Sequence, residues 1–201
     1  MSLRLILAAW CVLLAVGFAA LPPVLAQDTN GHITLENPGK LSEADIHSVY
    51  ERLLKSMVMG YGASQFDWAE KYAAWTRYNR IPYLSATHGN RYVNNYANAT
   101  TRGYGALKPG ETFAAGTIMA KDSFTVTKKG KVFPGALFVM EKLKPGANPG
   151  TADWRYIMVM PDGSLFGDTA GDSADQVAYC HDCHRQKADQ DYVFFVPARY
   201  R

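Results

Sequence analysis

Thr117-Ile118-Met119-Ala120-Lys121-Asp122-Ser123-Phe124-Thr125-Val126-Thr127 is dense in β-branched and aromatic residues and has no helical apolar stripe. It reads as a strand. Two further runs share its character, Pro134 to Lys142 and Trp154 to Met160. Turn-forming stretches separate them: Lys128-Lys129-Gly130-Lys131, then a loop from Lys144-Pro145-Gly146 to Pro149-Gly150. Short polar connections of this kind join antiparallel neighbours. Pro161-Asp162-Gly163 adds a turn that leads into a short return strand, Ser164 to Phe166.

Helical signals lie on either side of this centre. Ser42 and Asp45 form an S-x-x-D capping pattern, after which Ile46, Tyr50, Leu53, Leu54 and Met57 fall on one face, until Gly60-Tyr61-Gly62 ends the helix. A second helix is predicted from Phe66 to Tyr78, with Phe66, Trp68, Tyr72 and Trp75 as a core-facing stripe. Near the end, Asp172 or Ser173 can cap a helix that runs through Val177 to about Lys187. Tyr192-Val193-Phe194-Phe195-Val196 is apolar enough to pack back on the sheet. The fold class is therefore α+β, an antiparallel β-sheet flanked by helices. Asn90, Asn94, Asn95 and Asn98, interleaved with Tyr92 and Tyr96, read as turn and edge residues.

The C-terminal helix carries Cys180-His181-Asp182-Cys183-His184. CxxCH is the spacing at which two thiols on a helical turn reach the vinyl edges of a haem, with the next imidazole under the iron. Cys180 and Cys183 are then the anchors of a haem c and His184 its proximal ligand. His181 reads as an exposed helix residue. The competing readings are a zinc half-site and a thiol redox pair. Structural zinc needs four protein ligands, and the only other cysteine, Cys11, lies in a segment expected to be removed. A redox pair wants a preceding strand in a βαβ unit, which this position near the C-terminus does not offer.

Residues 1–26 read as an export signal. Arg4 is the only charge, an apolar run extends from Leu5 to Leu21, and Val24-Leu25-Ala26 offers a cleavage site before Gln27. An uncleaved membrane anchor is the alternative. Export predicts a periplasmic protein, which agrees with a haem attached outside the cytoplasmic membrane. Residues 27–40, polar with Gly31, Pro38 and Gly39, read as a flexible leader to one domain over 41–201. The formal charge of +3 is too small and too dispersed for nucleic acid or an anionic membrane as partner.

Little follows His184, and it contains neither Met nor His. Any sixth iron ligand must come from upstream, from His88, His47, His32 or a methionine among Met57, Met59, Met119, Met140, Met158 and Met160. Otherwise the distal side is open to a small ligand. In Thr87-His88-Gly89-Asn90 the histidine reads either as a loop residue with satisfied hydrogen bonds or as that ligand. Lys121 also reads two ways. Period-two alternation sets it beside Met119 and Thr117, so it is a solvated edge lysine or one buried in an apolar pocket, where the ammonium loses its proton readily. Arg91 is a salt-bridge or propionate partner, or a donor to an iron-bound species.

Several of these motifs occur together: Arg91-Tyr92-Val93, Phe113-Ala114-Ala115-Gly116-Thr117-Ile118-Met119-Ala120-Lys121, Gly150 to Trp154-Arg155-Tyr156, CxxCH, and Asp191-Tyr192-Val193-Phe194. From about Thr87 to Val196 the chain resembles the cytochrome P-460 family, which includes the cytochromes c′-beta. The resemblance implies an α+β fold, usually dimeric, holding one covalent haem with an accessible iron. It also implies that Lys121 matches the lysine bonded to a porphyrin meso carbon in hydroxylamine-oxidising members. Arg91 matches a distal arginine, and Phe113 an aromatic over the distal face in gas-binding members. A distal carboxylate has no single counterpart, with Asp168, Asp172 and Asp175 in the right region. Three functions follow as expectations: hydroxylamine oxidation with electrons passed to a soluble acceptor cytochrome, NO or CO binding without turnover, and simple electron transfer. Lys121 favours the first, Phe113 the second, and His88 the third.

Overall fold

A computed structural model describes residues 26, 27, 33–35 and 37–201. All of the expected signal segment except Ala26, together with His32, falls outside these residues, as does Cys11 within that segment. In chain order the elements are β1 (Ala26–Gln27), β2 (Ile33–Thr34), α1 (Glu43–Gly62), β3 (Thr76–Arg77), β4 (Tyr83–Ser85), β5 (Arg91–Ala97), β6 (Ile118–Val126), β7 (Val132–Pro134), β8 (Leu137–Lys142), β9 (Trp154–Val159), β10 (Leu165–Asp168) and α2 (Ala178–His184). Strands β3 to β10 form one eight-stranded sheet in the order β10-β9-β8-β6-β5-β3, with β4 on β5 and β7 on β6. All its pairs are antiparallel, so the α+β reading holds.

Residue alternation divides the sheet into two faces. Tyr96, Ala120, Phe124, Leu137, Val139, Ile157 and Val159 pack against Val49, Tyr50, Leu53, Met57 and Tyr61 of α1. The opposite face presents Ala97, Met119, Met140, Trp154 and Tyr156, covered in part by Phe113 and Val193. Helix α1 starts as its sequence predicts: Ser42 Oγ accepts from Asp45 N, and the Asp45 carboxylate accepts from Ser42 N at 2.8 Å. This capping box satisfies two of the free amides at the helix start.

Three expectations are corrected. Phe66 to Tyr78 is not a helix but a series of turns with one 3₁₀ turn at Tyr72–Ala74, ending in β3. Phe66 and Tyr72 are buried and Trp68 and Trp75 partly so, without a helix: Phe66 stacks on Trp68, and Tyr72 meets Tyr61 and Tyr96 edge-on. Pairing of Thr76 and Arg77 with Ala97 and Tyr96 then draws the chain into the sheet. The C-terminal helix is also shorter than expected. Ser173 sits in the left-handed region (φ 54°) with no capping bond, a 3₁₀ turn covers Ala174–Gln176, and α2 gives way to 3₁₀ structure from Arg185. Finally, the expected leader is docked where it is described, since Ile33 and Leu35 are buried in the α1 core and Leu35 N donates to Gly130 O.

The asparagines are not all edge residues. Asn94 and Asn95 are buried, and Asn94 Nδ2 donates to the Asp122 carboxylate at 3.0 Å. Asp122 lies on the α1 side and also accepts from Tyr50 Oη (2.7 Å) and Tyr72 Oη (3.0 Å). Tyr50 is in turn hydrogen-bonded to Tyr96.

Candidate functional site

The side of the sheet away from α1 opens into a cavity of about 470 Å³, within the usual range for small-molecule and cofactor sites. Its walls bring together Cys180, Cys183 and His184 from α2, Lys121 from β6, Arg91 from β5, and His88 from the turn between β4 and β5. Met119, Met140, Met158 and Met160, read from sequence as core residues or iron ligands, also line it. The two motif cysteines are not joined to each other by a disulfide.

His184 is oriented from behind. Its Nδ1 lies 2.6 Å from the Tyr192 carbonyl, so the Nδ1 proton is donated there and the lone pair is on Nε2. Burial holds the imidazole down to about 4, with further lowering from Lys121 and His181, so the ring is neutral as a metal ligand must be. Tyr192 is held by a turn in which Asp191 and Tyr192 both have left-handed backbones (φ 49° and 66°). Non-glycine residues adopt this conformation at a cost.

The Asp191 side chain secures the turn. It is buried and accepts from Lys142 Nζ (2.7 Å), Phe113 N (2.8 Å) and Trp154 Nε1 (3.3 Å), while its carbonyl accepts a closer bond from the same indole (2.8 Å). Through the Tyr192 carbonyl, Asp191, Lys142 and Trp154 support His184, a role the sequence reading did not give them. The available signal was a lysine and a tryptophan in strands opposite an acidic residue shortly after the haem motif.

Lys121 is not an edge residue. β6 is paired on both sides, with Lys121 opposite Asn95 on one neighbour and Phe138 on the other. Its side chain opens into the cavity rather than to bulk solvent, and desolvation brings the ammonium down to about 8. Arg91 reaches across Gly135, where a Cβ would meet Arg91 Nη1 at 2.9 Å and Ser123 Oγ at 2.3 Å, and donates to Thr125 Oγ1 at 3.1 Å. Glycine at 135 is what lets the guanidinium pass.

Phe113 does not line the cavity. It packs between Trp154 and Phe195 in the second core, at centroid distances of 6.1 and 6.5 Å. The aromatic on the cavity wall beside Lys121 is Phe138. Asp168 is consumed elsewhere: it is buried and receives both Arg155 Nε and Nη2, while Arg155 also holds Glu141 at 3.0 Å. Asp172 and Asp175 are exposed outside the cavity. Among the described residues that line it there is no Asp or Glu. His47 lies on α1 beside Glu51, and His181 stacks on Tyr192 with Nδ1 3.5 Å from Tyr156 Oη.

Residues 69–195, well over half of the chain, match the cytochrome P460 family. The chain belongs to that family. No curated protein matches it. The match begins upstream of the resemblance noted at Thr87 and takes in part of the aromatic turn segment. As a cytochrome P460 the protein is a haem c-type cytochrome, and the donor set fits the group: an apolar-walled cavity, two cysteines at CxxC spacing that are not paired with each other, and an imidazole whose outer nitrogen is already engaged.

Proposed function

We propose that this cytochrome P460 is a periplasmic, homodimeric mono-haem protein that oxidises hydroxylamine to oxidised nitrogen products and passes the electrons to a soluble acceptor cytochrome. Cys180 and Cys183 hold the haem by thioethers, His184 is its proximal ligand, and Lys121 is bonded to the macrocycle. When bound, the haem supplies the redox chemistry and the coordination position for the substrate nitrogen. The observation that carries this reading is the position of Lys121. A central strand points its amine into the cavity that holds CxxCH, and dehydration favours the neutral form that bond formation requires. Replacing a ring C–H and an amine N–H by a C–N bond releases two protons and two electrons, which a peroxide-class oxidant takes up during maturation. Arg91 offers a fixed cation at the same cavity to orient an oxygen-bearing ligand.

The absence of a carboxylate from the described lining residues supports a second reading, NO or CO binding without turnover. One experiment separates them. Haem-loaded protein that carries the crosslink has a broad, red-shifted main absorption band, and Lys121→Ala restores an ordinary c-type spectrum and abolishes hydroxylamine oxidation while NO binding survives. An ordinary spectrum in the unmodified protein, with no hydroxylamine consumed in the presence of an acceptor, makes gas binding the function.

A further inference from the structure

Hydroxylamine oxidation releases protons as well as electrons, and the cavity lacks the carboxylate that would collect them. Among the described lining residues, Arg91 carries a guanidinium with donors only, Lys121 is committed to the macrocycle on the reading above, and burial raises Tyr96, Tyr104, Tyr156 and Tyr179. His184 presents its lone pair to the metal. His88 is the remaining group with a basic nitrogen.

Its setting is built. His88 ends a 3₁₀ turn, Ala86–His88, and Gly89 (φ 74°) and Asn90 (φ 52°) then reverse the chain into β5, so that one tight turn hangs both His88 and Arg91 over the cavity. The imidazole packs edge-on against Phe138 at 4.9 Å. Nδ1 lies 2.8 Å from Ser85 Oγ and 3.2 Å from Thr87 Oγ1. Ser85 is buried and Thr87 is exposed, with 3.5 Å between their hydroxyl oxygens. A hydrogen-bonded path thus leads from a cavity-lining imidazole to solvent. With Nδ1 engaged by the hydroxyls, Nε2 is the nitrogen left for the cavity. Burial, and to a lesser degree the nearby Lys121 and His184, hold the imidazole well below its usual range, so the ring is neutral at rest and its lone pair is free.

We propose that His88 is the proton-accepting catalytic residue of this site, and that Ser85 and Thr87 carry the proton from its Nδ1 to solvent. The inference rests on the hydroxylamine reading. An N–H bond of the substrate breaks, its proton goes to His88 Nε2, and the bonding pair stays on nitrogen. The Nδ1 proton passes to a hydroxyl and then to water, leaving the proton from the substrate on Nε2, and rotation of the imidazole to bring Nε2–H to the hydroxyls presents a free nitrogen to the cavity again. Electrons, one for each proton, leave by way of the haem to the acceptor protein.

The test compares haem-loaded wild type, His88→Ala and the double variant Ser85→Ala/Thr87→Val. His88→Ala is expected to lower kcat by about 10²-fold with KM little changed, and added imidazole to restore part of it. The C–O stretching frequency of the ferrous CO complex should shift in His88→Ala, because Nε2 faces the ligand. It should stay in place in the double variant, whose kcat falls with a larger solvent isotope effect. Unchanged turnover in His88→Ala, or a low-spin ferric signal in wild type that becomes high-spin in that variant, overturns the proposal; the latter makes His88 an iron ligand. A wild type that consumes no hydroxylamine is a failure of the reaction itself, distinct from an active wild type whose His88→Ala variant is equally active.

Discussion

Asp191→Ala should be among the most damaging substitutions in the protein, although the residue is linked to His184 only through the turn that carries the Tyr192 carbonyl. The change leaves the Lys142 ammonium buried without its carboxylate partner, and frees Phe113 N as well. Breaking one side of a buried ion pair costs about 3–5 kcal/mol. For a chain of this size each kcal/mol moves Tm by about 2–4 °C, so the expected fall is about 6–20 °C. The left-handed turn at Asp191 and Tyr192 loses its anchor too, and the Tyr192 carbonyl withdraws from His184 Nδ1. Calorimetry of the haem-loaded protein measures the first effect, and electron paramagnetic resonance of the ferric state reads the second through the axial ligand field. Removing both charges in Asp191→Leu/Lys142→Met should recover much of the loss, since no ion is then left uncompensated. A single variant whose Tm falls by less than about 3 °C would refute the reasoning.

Burial pushes the Asp122 carboxyl up to about 6, against an unfolded value of about 3.9. The native protein holds this proton more tightly than the unfolded chain, so stability should fall by about 3 kcal/mol as pH rises from about 4 to 6. Chemical denaturation of Asp122→Asn across that range should show the slope flattened. Phe138→Ala should change the rate of CO or NO binding, because that ring walls the cavity, whereas Phe113→Ala should cost about 3–5 kcal/mol of stability and leave ligand association unaltered in flash photolysis.

The sheet was legible in the sequence because β6, β8 and β9 combine β-branched and aromatic composition with clear turn punctuation. The start of α1 was legible because a capping box is a local hydrogen-bonding device. Phe66 to Tyr78 misled because an aromatic stripe records burial rather than backbone conformation, and two tyrosines can reach one buried aspartate, Tyr50 from a helix and Tyr72 from a turn. Lys121 is local in sequence, and its alternation put it on the face of Met119, where the structure has it. What alternation could not reveal was that both edges of β6 are paired. Phe113 failed for a different reason. Its neighbourhood in sequence is that of Lys121, but it precedes the strand, and the chain turns at Gly116 (φ 84°) before the sheet begins. Asp191 and Lys142 were invisible because their partnership is made only by the fold.

Pairing on both sides of β6 links the fold to the chemistry. Asn95, Val139 and Phe138 fix its register, and with period-two geometry that register decides which of two adjacent residues faces which medium. Lys121 goes to the apolar cavity and Asp122 to the tyrosine cluster under α1, so neither can neutralise the other across the strand. Each is driven toward its uncharged form instead, the amine by loss of a proton and the carboxyl by retention of one. A lysine on an edge strand would have swung to water and stayed charged. The ease with which Lys121 loses its proton is therefore a consequence of its place near the centre of an antiparallel sheet, and the tyrosine and asparagine donors around Asp122 are what make the opposite face of the same strand tolerable.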